Sequence, residues 1–185
     1  MTSTALIKFI GFNNKFPFRY LSKKVFIFTR MSRYIVYIIL PVLFLFFISC
    51  DRGRLYDRSF SVADQIWHMD SAMVFSVEVD DSLSLYRFYL NIRHNTDYPF
   101  SNIFLFLDTR FPNGNTARDT LECILADKQG RWYGTGGGRI RDNQILIREG
   151  LKFPRNGEYL FKITQGMRET GLEGMEDVGI RIEKM

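Results

Sequence analysis

The sequence has few of the residues that build metal, redox and nucleophilic sites. It contains two cysteines and two histidines among 185 residues, and neither His68 nor His94 has a second histidine or a cysteine at metal-ligand spacing. It contains no CxxC, HExxH or GxSxG sequence, which removes the local signatures of thioredoxin-like enzymes, zinc hydrolases and α/β-hydrolases. We therefore predict no catalytic residue, no metal and no cofactor.

Acidic residues are absent from the first 49 positions, which hold seven of the 25 lysines and arginines. The remaining chain carries 18 basic against 20 acidic residues, so the net charge of +5 comes wholly from the N-terminal stretch. A mildly acidic body lacks the positive excess that phosphate binding requires. We predict no nucleic-acid partner.

The uncharged apolar run at residues 35–48 is short of the roughly 20 residues that a comfortable membrane span needs. It contains 14 residues and follows Arg30 and Arg33, an order typical of a signal peptide. The next two residues, Ser49 and Cys50, resemble a lipobox, the cleavage site of bacterial lipoproteins. We predict a lipoprotein signal peptide over 31–49 and lipid attachment at Cys50, with an uncleaved signal anchor as the alternative.

Four parts of the chain are distinguished by their composition. Residues 1–30 are interpreted as an over-extended start or a long basic n-region. Residues 31–49 form the signal peptide, and the mixed charges of 50–59, which follow no period, predict a lipidated tether. Residues 60–185 are predicted to form one β domain that opens with a short helix or irregular segment, with Trp67 buried at its end.

Short apolar runs separated by turn residues recur through the body of the chain. Tyr86, Phe88, Leu90 and Ile92 alternate with more polar residues, the period of a strand buried on one face. Strands are predicted at 72–80, 85–93, 103–107, 119–126, 144–148, 159–164 and 178–183. Repeated short strands without amphipathic helices favour an all-β fold, an antiparallel β-sandwich or jelly roll of about seven to nine strands.

Aromatic and glycine-rich residues near position 135 are the candidates for a binding surface. Trp132 and Tyr133 form a candidate interaction surface, for a protein partner or for a glycan. The glycines at 134–138 are followed by Arg139 rather than by the Lys-Ser/Thr of a phosphate loop, and we interpret them as a bulge or hairpin loop. Scattered carboxylates leave a hydrolase assembled from distant strands as a further alternative.

Three other residues are predicted to be structural. Cys123 lies in the apolar run 121–125, which predicts a buried thiol rather than a nucleophile. Asn102 and Arg168 stand beside turn-prone residues at predicted strand ends. We expect both to make hydrogen bonds at corners of the sandwich.

Three blocks of sequence carry a resemblance to a known family. They read YPFSNIFLF at 98–106; DTLE, LAD and GRWYG between 119 and 134; and GEY, QGMR and DVGIRIE between 157 and 183. Together with the lipobox ahead of them, these blocks resemble the gliding motility lipoprotein GldH family of Bacteroidota. The resemblance covers the chain from Cys50 to its end.

The resemblance implies a non-enzymatic outer-membrane lipoprotein that is required for gliding and linked to the type IX secretion apparatus that exports adhesins. It implies membrane attachment through a lipid anchor, other envelope proteins of gliding and secretion as partners, and no small-molecule substrate. Cys50 is the one functional residue that it transfers. We expect the domain on the periplasmic side of the outer membrane, and a cell-envelope glycan-binding module remains the alternative.

Overall fold

A computed structural model of the protein describes residues 53–185, and it is built almost entirely from strands. A single 3₁₀ turn, Ala63–Gln65, separates the first two of them. The ten strands of the described chain are β1 Arg54–Ser61, β2 Ile66–His68, β3 Met73–Val79, β4 Tyr86–Asn95, β5 Asn102–Arg110, β6 Thr116–Ile124, β7 Ile140–Leu151, β8 Gly157–Gln165, β9 Gly171–Glu173 and β10 Met175–Lys184. The all-β prediction is confirmed. Within residues 53–185 no helix has the length and apolarity that crossing a bilayer needs.

Eight of the strands form two four-stranded antiparallel sheets. The first sheet has the order β1-β10-β4-β7 and the second has the order β3-β8-β5-β6, while β2 and β9 pair separately. Successive main strands therefore alternate between sheets through most of the chain. This order is that of an eight-stranded jelly roll, one of the two architectures predicted.

The core lies between the two sheets and is built from alternating side chains. In β4 every second residue from Tyr86 to Ile92 is buried, and β8 shows the same alternation. Phe88 of the first sheet and Phe161 of the second meet with their ring centroids 5.3 Å apart. Trp67, predicted to be buried, is 1% exposed and donates its indole N–H to the Ser71 carbonyl oxygen at 2.7 Å.

The tether prediction for 50–59 is wrong from Arg54 onward, because residues 54–59 belong to β1. That strand pairs with β10 in a register that places Arg58 opposite Ile180. Asp57 makes a cross-strand ion pair with Arg181 at 3.0 Å and an ion pair with Arg54 of its own strand at 3.5 Å, instead of lying in a solvated linker. The segment 60–69, expected to be a short helix or irregular, contains no α-helix and consists of the end of β1, the 3₁₀ turn and β2.

Candidate functional site

The predicted signal peptide 31–49 and the lipidation residue Cys50 lie outside the described residues. The candidates that the structure does describe are Trp132 and Tyr133, which follow β6. A tight turn positions them: Asp127 accepts hydrogen bonds from the backbone N–H groups of Gln129 and Arg131, each at 2.9 Å. Ala126 then pairs with Trp132 across the turn.

The two aromatic candidates have different environments. The Trp132 ring is half-buried, with its centroid 4.6 Å from that of His94 and 6.3 Å from that of Tyr98. Tyr133 is 50% exposed. Trp132 is therefore a packing residue of an aromatic cluster, and Tyr133 is the side chain of the pair that is open to a partner. The glycan-binding alternative stays a prediction, with Tyr133 as its aromatic contact.

His94 lies fully buried at the centre of this cluster. Its Nδ1 is 2.8 Å from the Asn95 carbonyl oxygen, which can only accept, so Nδ1 carries the proton of the neutral ring. Its Nε2 has no hydrogen-bond partner among the described residues. Burial lowers the pKa of His94, with a smaller contribution from the charge of Arg141, against the opposing effect of the Asn95 hydrogen bond.

We expect acid to destabilise the fold through His94. Its folded pKa is below the unfolded value of about 6.5, so the unfolded chain binds the extra proton first and stability is lost as pH falls below about 6.5 towards the folded pKa. The loss reaches at most about 1.4 kcal/mol per pH unit. Urea unfolding at several pH values should show that the free energy of unfolding depends less on pH in His94→Phe than in wild type. The control is His68→Gln, because His68 is exposed. If the plots of unfolding free energy against pH were parallel for wild type and His94→Phe, the expectation would be contradicted.

A polar groove of about 660 Å³ lies between the loop after Tyr133 and the outer face of the first sheet. Arg93 spans it, with its guanidinium 2.5 Å from a carboxylate oxygen of Asp142 and 3.1 Å from one of Asp177. Thr135 pairs with Asp142, so the glycine-rich segment is a loop laid against β7, as predicted. Gly134 has φ +80°, and an added Cβ would collide with the Asp142 carbonyl oxygen and lie 2.9 Å from Asn143 Cγ.

An apolar cleft of about 390 Å³ opens between β6 and β7, at the side of the sandwich where each sheet ends. Sequence reasoning did not find it. In the structure Asp119 sits opposite Leu107 in the register, so it points to the inner face of the second sheet, and yet it is exposed. An inward-facing charge indicates that this part of β6 is not covered by the other sheet.

The remaining structural expectations have mixed outcomes. Cys123 is 1% exposed, which confirms the predicted buried thiol, and burial raises the pKa of that thiol to about 11. Asn102 donates to Glu122 Oε1 at 2.7 Å, as predicted. Arg168 is exposed and makes no hydrogen bond or ion pair with residues 53–185, so its prediction is wrong. No group of histidine, cysteine, aspartate and glutamate within the described part of the chain could hold a metal ion.

The described residues form an eight-stranded jelly-roll domain, and comparison with known proteins gives its family. The profile of the GldH lipoprotein family matches residues 54–182, and the chain belongs to that family. A gliding motility lipoprotein GldH homolog from Christiangramia forsetii is 39% identical over 160 residues, 83% of this chain and 97% of that protein. The gliding motility lipoprotein GldH of Flavobacterium johnsoniae is 39% identical over 143 residues, 74% of this chain and 88% of that protein.

Proposed function

We propose that this chain is a gliding-motility lipoprotein of the outer membrane. In this proposal Cys50 carries the lipid, and the jelly roll is a non-enzymatic component that assembles with gliding and type IX secretion proteins on the periplasmic side and supports adhesin export. The observation that carries the proposal is the family match over 54–182, which spans nearly the whole described domain. The names of two relatives that the chain covers at 88% or more of their length support gliding as the process.

The surface of the domain supports assembly rather than catalysis. Charged side chains on the outer face of the first sheet are joined in exposed ion pairs, as between Arg87 and Glu149 at 3.0 Å. Exposed pairs of this kind contribute little to stability, about 0–1 kcal/mol each, so they are available to a partner at small cost. Tyr133 adds an exposed aromatic side chain, the residue type enriched in protein interfaces.

The test is crosslinking in intact cells that produce the chain, followed by purification of a tagged full-length protein and identification of what is attached. We expect envelope proteins of gliding and secretion to be recovered, and we expect Tyr133→Ala to reduce their recovery severalfold. Leu83→Ala is the matched control, because Leu83 is 84% exposed in the segment between β3 and β4. Recovery of no envelope protein with wild type would overturn the proposal, whereas equal recovery with Tyr133→Ala would remove only Tyr133 from the interface.

A further inference from the structure

The cleft between β6 and β7 has the size and the walls of a ligand site. Its volume of about 390 Å³ lies within the range of about 300–1,000 Å³ that is usual for small-molecule pockets. Its walls are apolar and come from both sheets and from the segment between β7 and β8: Phe88, Leu107, Leu121, Ile147, Phe153 and Phe161. At about 30 Å³ for each small group, it accommodates on the order of a dozen methylene groups.

The strands beside the cleft leave it open. From Asn143 onward, β7 has no strand partner on its outer edge within residues 53–185, and β6 is likewise the last strand of its sheet. Ala117 lies opposite Thr109 and lines the cleft, but it is exposed. The inner face of β6 is thus uncovered where a folded sandwich would normally be closed.

The polar groups inside the cleft are already satisfied or lie at its mouth. The phenol of Tyr159 donates to the Arg155 carbonyl oxygen at 2.9 Å, so it does not need a ligand. Arg148 and Lys152 line the mouth, and neither forms an ion pair with a described residue. Asp119 is the single carboxylate among the lining residues, which leaves an excess of positive charge at the mouth.

From this arrangement we propose that the cleft binds the acyl chain of a fatty acid, with the chain between the sheets and the carboxylate at Arg148 and Lys152. An apolar interior with two cations at its opening matches a molecule that has one long apolar part and one anionic end. Burial of the methylene groups favours binding of the chain, and the two cations at the opening favour an anionic end over a cationic one. The inference goes beyond the proposed assembly function and does not depend on it.

The test uses full-length protein in phosphatidylcholine nanodiscs and a dodecanoic acid that carries a diazirine near its methyl end. After irradiation, mass spectrometry should place the label on cleft residues such as Leu121 or Ile147. Ala117→Trp, which fills the opening from an exposed position, should reduce labelling about tenfold, and the double variant Arg148→Glu, Lys152→Glu should do so to a similar extent. Unlabelled dodecanoate should compete, and dodecyltrimethylammonium should compete about tenfold less well.

The matched controls introduce a tryptophan and a charge reversal at positions outside the cleft. Val74→Trp places the large ring on the outer face of β3, where Val74 is 47% exposed, and Lys128→Glu reverses a charge in the turn before Trp132. Both should label like wild type. Labels that map to the outer faces, or equal labelling in Ala117→Trp and wild type, would overturn the proposal. Loss of crosslinked envelope proteins in Ala117→Trp with unchanged fatty-acid labelling would instead identify the cleft as a peptide site and refute it.

Discussion

Replacing Cys50 with serine should transfer the protein from the membrane fraction to the soluble fraction. Serine has no thiol to accept a diacylglyceryl group, so the mature chain would lose its anchor. Each buried methylene contributes about 0.8 kcal/mol, and two or three acyl chains together hold a protein on a bilayer effectively permanently. Fractionation, together with loss of incorporated labelled palmitate, measures the effect, and we expect nearly all of the protein to move.

The control is Ser49→Ala, which keeps a small residue before the cysteine and should leave the protein in the membrane with its palmitate label. A Cys50→Ser chain that stays in the membrane fraction would instead establish the alternative, an uncleaved signal anchor at 35–48. Wild type that is soluble and carries no palmitate label would exclude both interpretations. The measurement therefore decides between the two interpretations of the N-terminal sequence.

Because β1 begins at Arg54, a lipid at Cys50 would hold the domain close to the bilayer. Arg54 begins the first strand and comes four residues after Cys50, and four residues extend over at most about 14 Å. A tether reaching to residue 59 would have more than doubled that distance. We therefore expect the end of the sandwich that contains Arg54 and Lys184 to lie within about one such length of the bilayer surface.

Local patterns predicted the strands whose alternation reflects burial on one face. β3, β4 and β8 are of this kind, and the sequence placed each within a few residues of its observed bounds. β1 could not be predicted in this way, because it is an edge strand with most of its residues exposed or half-buried. Its position depends on pairing with β10, more than 110 residues away, which no local pattern reports.

The features of the candidate site also divide into those that the local sequence predicts and those that it does not. Burial of Cys123 was predictable because the residues two positions away on either side, Leu121 and Leu125, are apolar. The cleft was not predictable, because it depends on how far the edges of two sheets stand apart, and its wall residues have ordinary core composition. Arg168 shows the opposite error: a turn-prone sequence indicated a corner, but a corner position does not supply a hydrogen-bond partner.

Gly179→Val should detach β1 from the sandwich and lower the free energy of unfolding by about 3 kcal/mol, at the upper end of overpacking effects. Gly179 lies in β10 directly opposite Ser59. A Cβ there would lie 2.5 Å from the Arg58 carbonyl oxygen and 2.8 Å from Ser59 Cα, and it would also collide with Ser59 Oγ. Backbone atoms cannot move aside as a flexible side chain does, so the strand itself would have to shift.

Two further variants test whether the lost stability of Gly179→Val comes from the displacement of β1. Ser59→Ala combined with Gly179→Val should recover only part of the stability, because the clashes with the Arg58 and Ser59 backbone remain. Gly137→Ala should be nearly neutral, since an added Cβ at Gly137 meets nothing within 4 Å and the backbone there does not require glycine. Urea unfolding gives the stabilities, and hydrogen exchange should show lost protection in β1 and at its partner positions in β10 while β8 stays protected. If β1 were as well protected from hydrogen exchange in Gly179→Val as in wild type, that result would contradict the pairing that places residues 54–61 inside the fold.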